Sequence, residues 1–331
     1  PTVLDRMIQQ AVLQVLQPEW DPTFSDYSYG FRPGRSAHQA VDKAREHYLA
    51  GHRRVVSLDL EKFFDRVNHD KMMSAVRDRV KDRRVCRLIR RYLQAGMLTG
   101  NVYIPRSEGT PQGGPLSPLL ANLLLDQLDR ELEKRGHRFV RYADDVSIYV
   151  RSERAGRRVL KSISTFLTKK LKLKVNREKS RVEHPRQSSL LGFSIGRSGR
   201  AFVSDKSIRR LKDRIRELTG RHRGRRIEQI VREVAEYLRG WKQYFQYAYR
   251  KQLFRELTAW IKRRLRAYVW TQWGRSGYRQ LRKRGISRDL AWNTCKSHHG
   301  PWRLSRSPAL AYALTTGYFV DLGLPLLHVN V

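Results

Sequence analysis

The sequence predicts an α+β fold followed by an all-helical module, and three observations carry that reading. Residues 139–150 alternate Val140, Tyr142, Val146, Ile148 and Val150 on either side of Ala143-Asp144-Asp145, the pattern of a hairpin with two carboxylates at its tip. Residues 54–60 form a short β-branched run that enters Asp59, a strand able to pair with that hairpin. Beyond Asp205 the apolar period becomes helical. Ile208, Leu211, Ile215 and Leu218 mark one helix, Ile227 to Trp241 a second, and Leu253 to Tyr268 a third.

The remaining elements follow in order. Leu4, Ile8, Val12 and Leu16 fall at helical spacing up to Pro18, and a polar, aromatic loop occupies 25–36 before a helical stretch over 37–49. After the 54–60 strand, helical patterns resume over 71–80 and 84–93. Residues 107–118 are rich in Gly and Pro and open an apolar helix over 119–132. A helix over 157–171, a strand-like 174–176 and a short strand over 190–195 complete the first region. In 205–290, 26 basic side chains face 8 acidic ones, and six of the seven tryptophans lie after Arg239. The second region is a basic, aromatic helical module with Gly220 as a cap beyond its first helix.

At 331 residues the chain has room for two domains, and 40% hydrophobic residues exclude a disordered one. The 68 Lys+Arg against 31 Asp+Glu leave a formal charge of +37, which calls for an anionic partner. The charge runs through the whole chain rather than one amphipathic helix, so nucleic acid is favoured over a membrane surface. Cys86 and Cys295 stand far apart with no C-x-x-C, which excludes a disulfide framework and a cysteine zinc site and fits a reducing compartment. The uncharged run 307–320 is too short to cross a bilayer. The start at Pro1, with Met7 the first methionine, reads as the interior of a longer frame.

Asp59 at a strand end and Asp144-Asp145 at a hairpin tip are carboxylates gathered on a sheet in a cationic chain. Oxygen ligands of this kind suit Mg²⁺, which binds through one or two carboxylates plus substrate phosphates. Two such ions about 3.5–4 Å apart activate an attacking hydroxyl and stabilise a leaving group. Taken singly, each motif reads as readily as a turn former or a cap.

The order of motifs is more specific. Ser57-Leu58-Asp59-Leu60-Glu61-Lys62-Phe63-Phe64-Asp65 is followed by Thr110-Pro111-Gln112-Gly113-Gly114-Pro115-Leu116-Ser117-Pro118, then by Tyr142-Ala143-Asp144-Asp145. Lys174-Val175-Asn176-Arg177-Glu178-Lys179-Ser180 and Leu190-Leu191-Gly192-Phe193 come last. This series resembles palm motifs A to E of reverse transcriptases, and more closely the group II intron-encoded reverse transcriptases and maturases. Pro1-Thr2-Val3-Leu4-Asp5-Arg6 with Tyr29-Gly30-Phe31-Arg32-Pro33-Gly34-Arg35-Ser36 is similar to that family's second block. Tyr237-Leu238-Arg239-Gly240-Trp241-Lys242-Gln243-Tyr244-Phe245 is similar to its maturase-specific thumb.

The resemblance implies a right-hand polymerase palm, a ferredoxin-like antiparallel sheet with helices, with partial fingers and a three-helix thumb. The expected divisions are 1–56 (partial fingers), 57–200 (palm), 201–286 (thumb) and 287–331 (a tail on the thumb). It implies catalytic Asp59, Asp144 and Asp145, with Asp59, Asp144 and the Leu60 carbonyl holding two Mg²⁺ ions. Phe64 falls at the aromatic gate that favours dNTPs, Gln112, Gly113 and Gly114 at the loop under the nascent pair, Lys179 beside pyrophosphate, and Gly192 at the primer grip. The earliest fingers blocks are expected upstream of Pro1, and the tail resembles the bacterial subgroup without a DNA endonuclease domain.

The implied activity is RNA-directed DNA polymerisation on an RNA template and DNA primer with dNTPs, together with intron RNA binding in splicing and mobility, in the bacterial cytoplasm and without a membrane partner. Arg32 and Arg35, in a Gly/Pro-bounded loop, and Arg209, Arg210, Lys212, Arg214 and Arg216, on the first thumb helix, are the expected nucleic-acid contacts. An RNA-binding splicing factor without polymerase activity, or a domesticated relative in repair or CRISPR-linked defence, are the alternative readings.

Overall fold

The computed structural model describes residues 2–99, 102–104, 108–110, 113–249 and 251–328. Its contacts divide the chain into two units, Pro1–Ala201 and Phe202–Val331. In the first unit the order is α1 (Val3–Trp20), α2 (Ala37–Leu49), β1 (Arg54–Leu58), α3 (Phe63–Arg66), α4 (His69–Arg79) and α5 (Arg83–Gln94). The hairpin β2 (Met97–Thr99) and β3 (Val102–Ile104), α6 (Ser117–Lys134), β4 (Arg138–Tyr142), β5 (Asp145–Val150) and α7 (Glu153–Phe166) come next. β6 (Arg181–Glu183) and β7 (Phe193–Ile195) follow, and the boundary falls in β8 (Ala201–Val203).

The sheet has the order β4-β5-β1-β6, antiparallel throughout, with Arg54 opposite Val150 and Leu58 opposite Val146. Helices between β1 and β4 and between β5 and β6 make this the β-α-β-β-α-β arrangement of ferredoxin-like folds. Strand alternation sorts the side chains between the faces. Val56, Leu58, Phe139, Val146, Ile148 and Val150 bury into one core with the leucines of α6 and with Val159 and Ile163 of α7. The strand neighbours Val55, Val140 and Tyr149 are also buried, and α2 packs on β4, where His47 Nε2 shares a hydrogen bond with the Phe139 carbonyl at 3.2 Å.

Several boundaries differ from the sequence expectation for local reasons. α1 runs through Pro18 to Trp20, because Pro18 removes a backbone donor only in the last turn and Trp20 is buried beyond it. α7 begins at Glu153, where the Ser152 hydroxyl accepts from the Ala155 N–H and caps the first turn. β1 ends at Leu58, and the strand-like 174–176 reduces to one bridge between Leu60 and Val175.

The second unit contains α8 (Asp205–Leu218), α9 (Ile227–Phe245) and α10 (Lys251–Trp273), which correspond to the three helices read from the sequence. It then adds α11 (Gly277–Lys283), α12 (Arg288–Lys296), α13 (Pro301–Leu304), α14 (Pro308–Ala313) and α15 (Thr316–Asp321). Leu211, Ile215, Ile230, Val234, Leu238, Leu257, Ile261 and Leu265 are buried on the three long helices. The later helices dock on α10: the Arg263 guanidinium lies 3.7 Å over the Trp302 ring, and Lys262 Nζ donates to Thr316 Oγ1 at 2.6 Å. Among the described residues no helix is long and apolar enough to cross a membrane.

Candidate active site

Asp59 lies one residue beyond the Leu58–Val146 pair, so the register of β1 on β5 carries it opposite Asp145. Asp144 occupies the two-residue turn closed by the Tyr142–Asp145 pair. Asp59 and Asp144 are half-buried and Asp145 is exposed. The three acids therefore share one end of two adjacent strands.

The backbone beside Asp59 is also oriented. Its N–H donates to Ser180 Oγ at 3.0 Å, and its carbonyl accepts from the Asn176 N–H at 2.9 Å. The Glu61 N–H donates to the Lys174 carbonyl at 2.8 Å. Successive peptide groups of an extended chain point to opposite sides, so the Leu60 carbonyl is turned toward the β4–β5 hairpin. Glu61 is tied elsewhere: Lys174 and Arg66 pair with it at 3.0 and 3.1 Å, and the Lys174 hydrogen bond holds its carboxyl below the usual range.

This donor set is all oxygen. Among the described residues no three His, Cys, Asp or Glu side chains converge as a metal group. Two carboxylates with one carbonyl fit a hard divalent cation whose remaining ligands come from water and substrate phosphate.

Behind the acidic turn lies a buried polar network that the sequence reading missed. Ala143 adopts φ +56°, a left-handed conformation that costs a non-glycine residue energy, and its carbonyl accepts from Arg141 Nη1 at 2.9 Å. Arg141 is fully buried and grips Asp129 with Nε at 2.8 Å and Nη2 at 2.6 Å, while Nη1 also reaches Asn122 Oδ1 at 2.9 Å. Burial pushes the Asp129 carboxyl up, and the adjoining Arg141 charge opposes that shift. Asn122 Nδ2 in turn donates to the Gly30 carbonyl at 2.9 Å.

Gly30 presses its backbone on the turn, and an added Cβ would overlap the Ala143 nitrogen. The Tyr29 N–H donates to the Arg141 carbonyl and the Arg141 N–H to the Tyr27 carbonyl, both at 2.9 Å. The 25–36 loop is thus strapped to the acidic hairpin. Gly30→Ala is expected to displace that turn and cut nucleotide addition at least about tenfold, because small misplacements of reacting groups are costly. Circular dichroism and extension rate measured on one preparation separate this effect from unfolding.

The other expected site residues fall at different distances from this centre. Phe64, half-buried, packs on the core with its ring 5.2 Å from Phe63. The Phe64 carbonyl accepts from the Thr110 N–H at 2.6 Å, which couples it to the chain just ahead of Gly113 and Gly114 in sequence. Gln112 lies outside the described residues. Gly113 has φ +86° and is exposed, and Gly114 is buried against Gln9, whose side-chain oxygen an added Cβ would meet.

Lys179 is exposed in a turn organised by Asn176 Oδ1, next to the Ser180 that holds Asp59. Gly192, with φ +84°, and Leu191, with φ +51°, form a two-residue turn between Leu190 and Phe193 in which both residues need positive φ.

Arg32 corrects the sequence expectation. Its side chain is 3% exposed, and it bonds the Asp21 carboxylate at 2.8 Å and the carbonyls of Ser25, Ser28 and Asp21. It is an internal brace of the loop rather than a contact for phosphate. Arg35 pairs with Asp26 at 2.7 Å and stays partly exposed. On α8, Arg209 and Arg210 are exposed and Lys212 is half-exposed, whereas Arg214 and Arg216 are drawn into surface ion pairs with Glu217 at 2.6 Å and Asp213 at 2.5 Å.

A ferredoxin-like sheet with acids at the end of β1 and at the β4–β5 turn is the palm of a nucleic-acid polymerase. Residues 1–195 match the family model for reverse transcriptases (RNA-dependent DNA polymerases), and residues 208–285 match the group II intron maturase-specific domain. The chain belongs to the reverse transcriptase family, in its group II intron branch. It is 31% identical over 222 residues to Protein YkfC of Escherichia coli, covering 56% of this chain and 58% of that one. It is 29% identical over 260 residues to the group II intron-encoded protein LtrA of Lactococcus lactis, covering 59% and 43%. The chain thus spans about half the length of the curated relatives it matches. Among solved structures, apo telomerase from Candida tropicalis aligns at 13% identity with a TM-score of 0.48, covering 80% of this chain and 55% of that one.

Proposed function

We propose that this chain extends a DNA primer along an RNA template with dNTPs, and that its helical unit holds intron RNA to assist splicing and mobility. The placement of Asp59 opposite the Asp144-Asp145 turn, with the Leu60 carbonyl turned the same way, is the observation that carries the polymerase reading. The maturase-specific match over 208–285 and the exposed Arg209 and Arg210 on α8 support the RNA reading.

In this scheme Asp59, Asp144 and the Leu60 carbonyl hold Mg²⁺, two ions in the working complex. Bound there, Mg²⁺ supplies a more acidic primer hydroxyl and neutralises charge on the triphosphate. The residues themselves position the reaction. The Arg141 network fixes the turn that carries Asp144, and Ser180 and Asn176 fix the backbone of Asp59. Gly113 and Gly114 let the backbone approach the nascent base pair. Lys179, on an exposed turn beside the Asp59 support, is the residue proposed to neutralise pyrophosphate. Gly192 supports the primer end.

Phe64 is the proposed gate. Its ring stands beside the sugar of the incoming nucleotide, where a 2′-hydroxyl would collide with it. Phe64→Ala is expected to raise rNTP use relative to dNTP by about 10- to 100-fold, the range within which a shaped apolar pocket discriminates. Single-nucleotide addition with paired dNTP and rNTP measures the ratio, and an unchanged ratio removes Phe64 as the gate.

A further inference from the structure

β4 and β5 carry the acidic turn at one end. Their other end, at Arg138 and Val150, is five residues and about 17 Å away at the rise of an extended strand. A shallow, open recess of about 520 Å³ lies there against the start of α7. Its floor is apolar, with Val150 6% and Val159 9% exposed. Its rim gathers Arg135, Arg138, Arg151 and Arg158 with His52 and His137, and none of its lining residues is acidic.

The four arginines come from separate segments: the end of α6, β4, the residue that follows β5, and α7. Arg138, Arg151 and Arg158 are exposed, and among the described residues none of the three enters an ion pair. Arg135 is already committed to Glu131 and to Ser162 Oγ, the latter at 2.6 Å. His52 Nδ1 is buried without a hydrogen-bond partner, a deficit that costs energy until something fills it. In a chain of charge +37 a solvated basic face is ordinary. A recess that collects four arginines and two histidines above an apolar floor is a binding shape.

The volume is several times that of one phosphate and falls in the range of small-molecule sites. Guanidinium forks match phosphate oxygens, and an apolar floor suits the face of a base. We propose that this cavity binds a nucleoside phosphate, with phosphates on Arg138, Arg151 and Arg158 and the base over Val150 and Val159. The site is separate from that of the incoming nucleotide and stands independently of the polymerase reading. The nucleotide is supplied either free or as part of an RNA strand.

Titration calorimetry of the full chain with ATP in EDTA tests this, since chelation suppresses metal-assisted binding at the Asp59 end. ATP is expected to bind saturably, and Arg138→Ser with Arg158→Ser to weaken it about tenfold or more. The charge-matched pair Arg91→Ser with Arg279→Ser, both exposed and outside the cavity, should bind ATP as the parent does. Inorganic triphosphate should bind more weakly than ATP, and equal affinity would overturn the base contact. Displacement of ATP by a short 5′-phosphorylated RNA assigns the site to an RNA strand, and ATP binding that persists at saturating RNA assigns it to a free nucleotide. Unchanged ATP affinity in the Arg138/Arg158 variant, or an equal loss in the control variant, overturns the site.

Discussion

Nucleotide addition by an Asp144→Asn, Asp145→Asn double variant is expected to fall at least about 10²–10³-fold, with RNA affinity unchanged or improved. Removing a single preorganised electrostatic contact at a reacting centre costs on that order, and here both hairpin acids lose their charge. The substitution is nearly isosteric, and Asp144 and Asp145 stand at the solvent end of the hairpin rather than in the buried network. Less negative charge at that end also favours approach of phosphates. Extension rates and filter-binding affinities on one preparation separate the outcomes. If RNA binding and the melting transition collapse together with extension, the acids serve folding rather than chemistry.

The second large effect concerns Asp129. Both members of the Arg141–Asp129 pair are completely buried, and removing one partner of such a pair leaves an uncompensated charge in the core. Asp129→Ala is expected to destabilise the first unit by about 3–5 kcal/mol. Urea unfolding followed by circular dichroism reads this as a shift of the midpoint. Combining Asp129→Ala with Arg141→Met should recover much of the stability, because a buried ion pair is commonly replaceable by apolar side chains. Activity should not recover with it, since Arg141 also holds the Ala143 carbonyl that shapes the acidic turn. If the double variant regains both stability and activity, Arg141 has no part in positioning the turn.

The acidic hairpin and the Asp59 strand were legible in the sequence because period-two alternation and clustered carboxylates are local signals. The long helices of the second unit were legible for the same reason, through their apolar period. Arg141 was not. Within 68 Lys+Arg it reads as one more basic residue, and only the fold brings Asn122 and Asp129 of α6 around it. Asp129 gave little signal either, because Asp126 and Glu131 share the same leucine-rich helix over 119–132 and nothing local marks which carboxylate is buried.

Arg32 misled in the opposite direction. Pro33 and Gly34 suggested an exposed loop, yet Asp21, eleven residues earlier, turns the guanidinium inward. The helices α11 to α15 escaped because 4 to 9 residues are too few to establish a helical period.

The most direct measurement of the proposed activity is primer extension by the full chain on an RNA template with Mg²⁺, comparing dNTPs with rNTPs and the parent with Asp59→Asn. The expected result is extension with dNTPs, little with rNTPs, and none from the Asp59→Asn variant at equal RNA binding. Tight RNA binding with no dNTP extension, or extension that survives Asp59→Asn, would contradict a polymerase built on Asp59 and the Asp144-Asp145 turn.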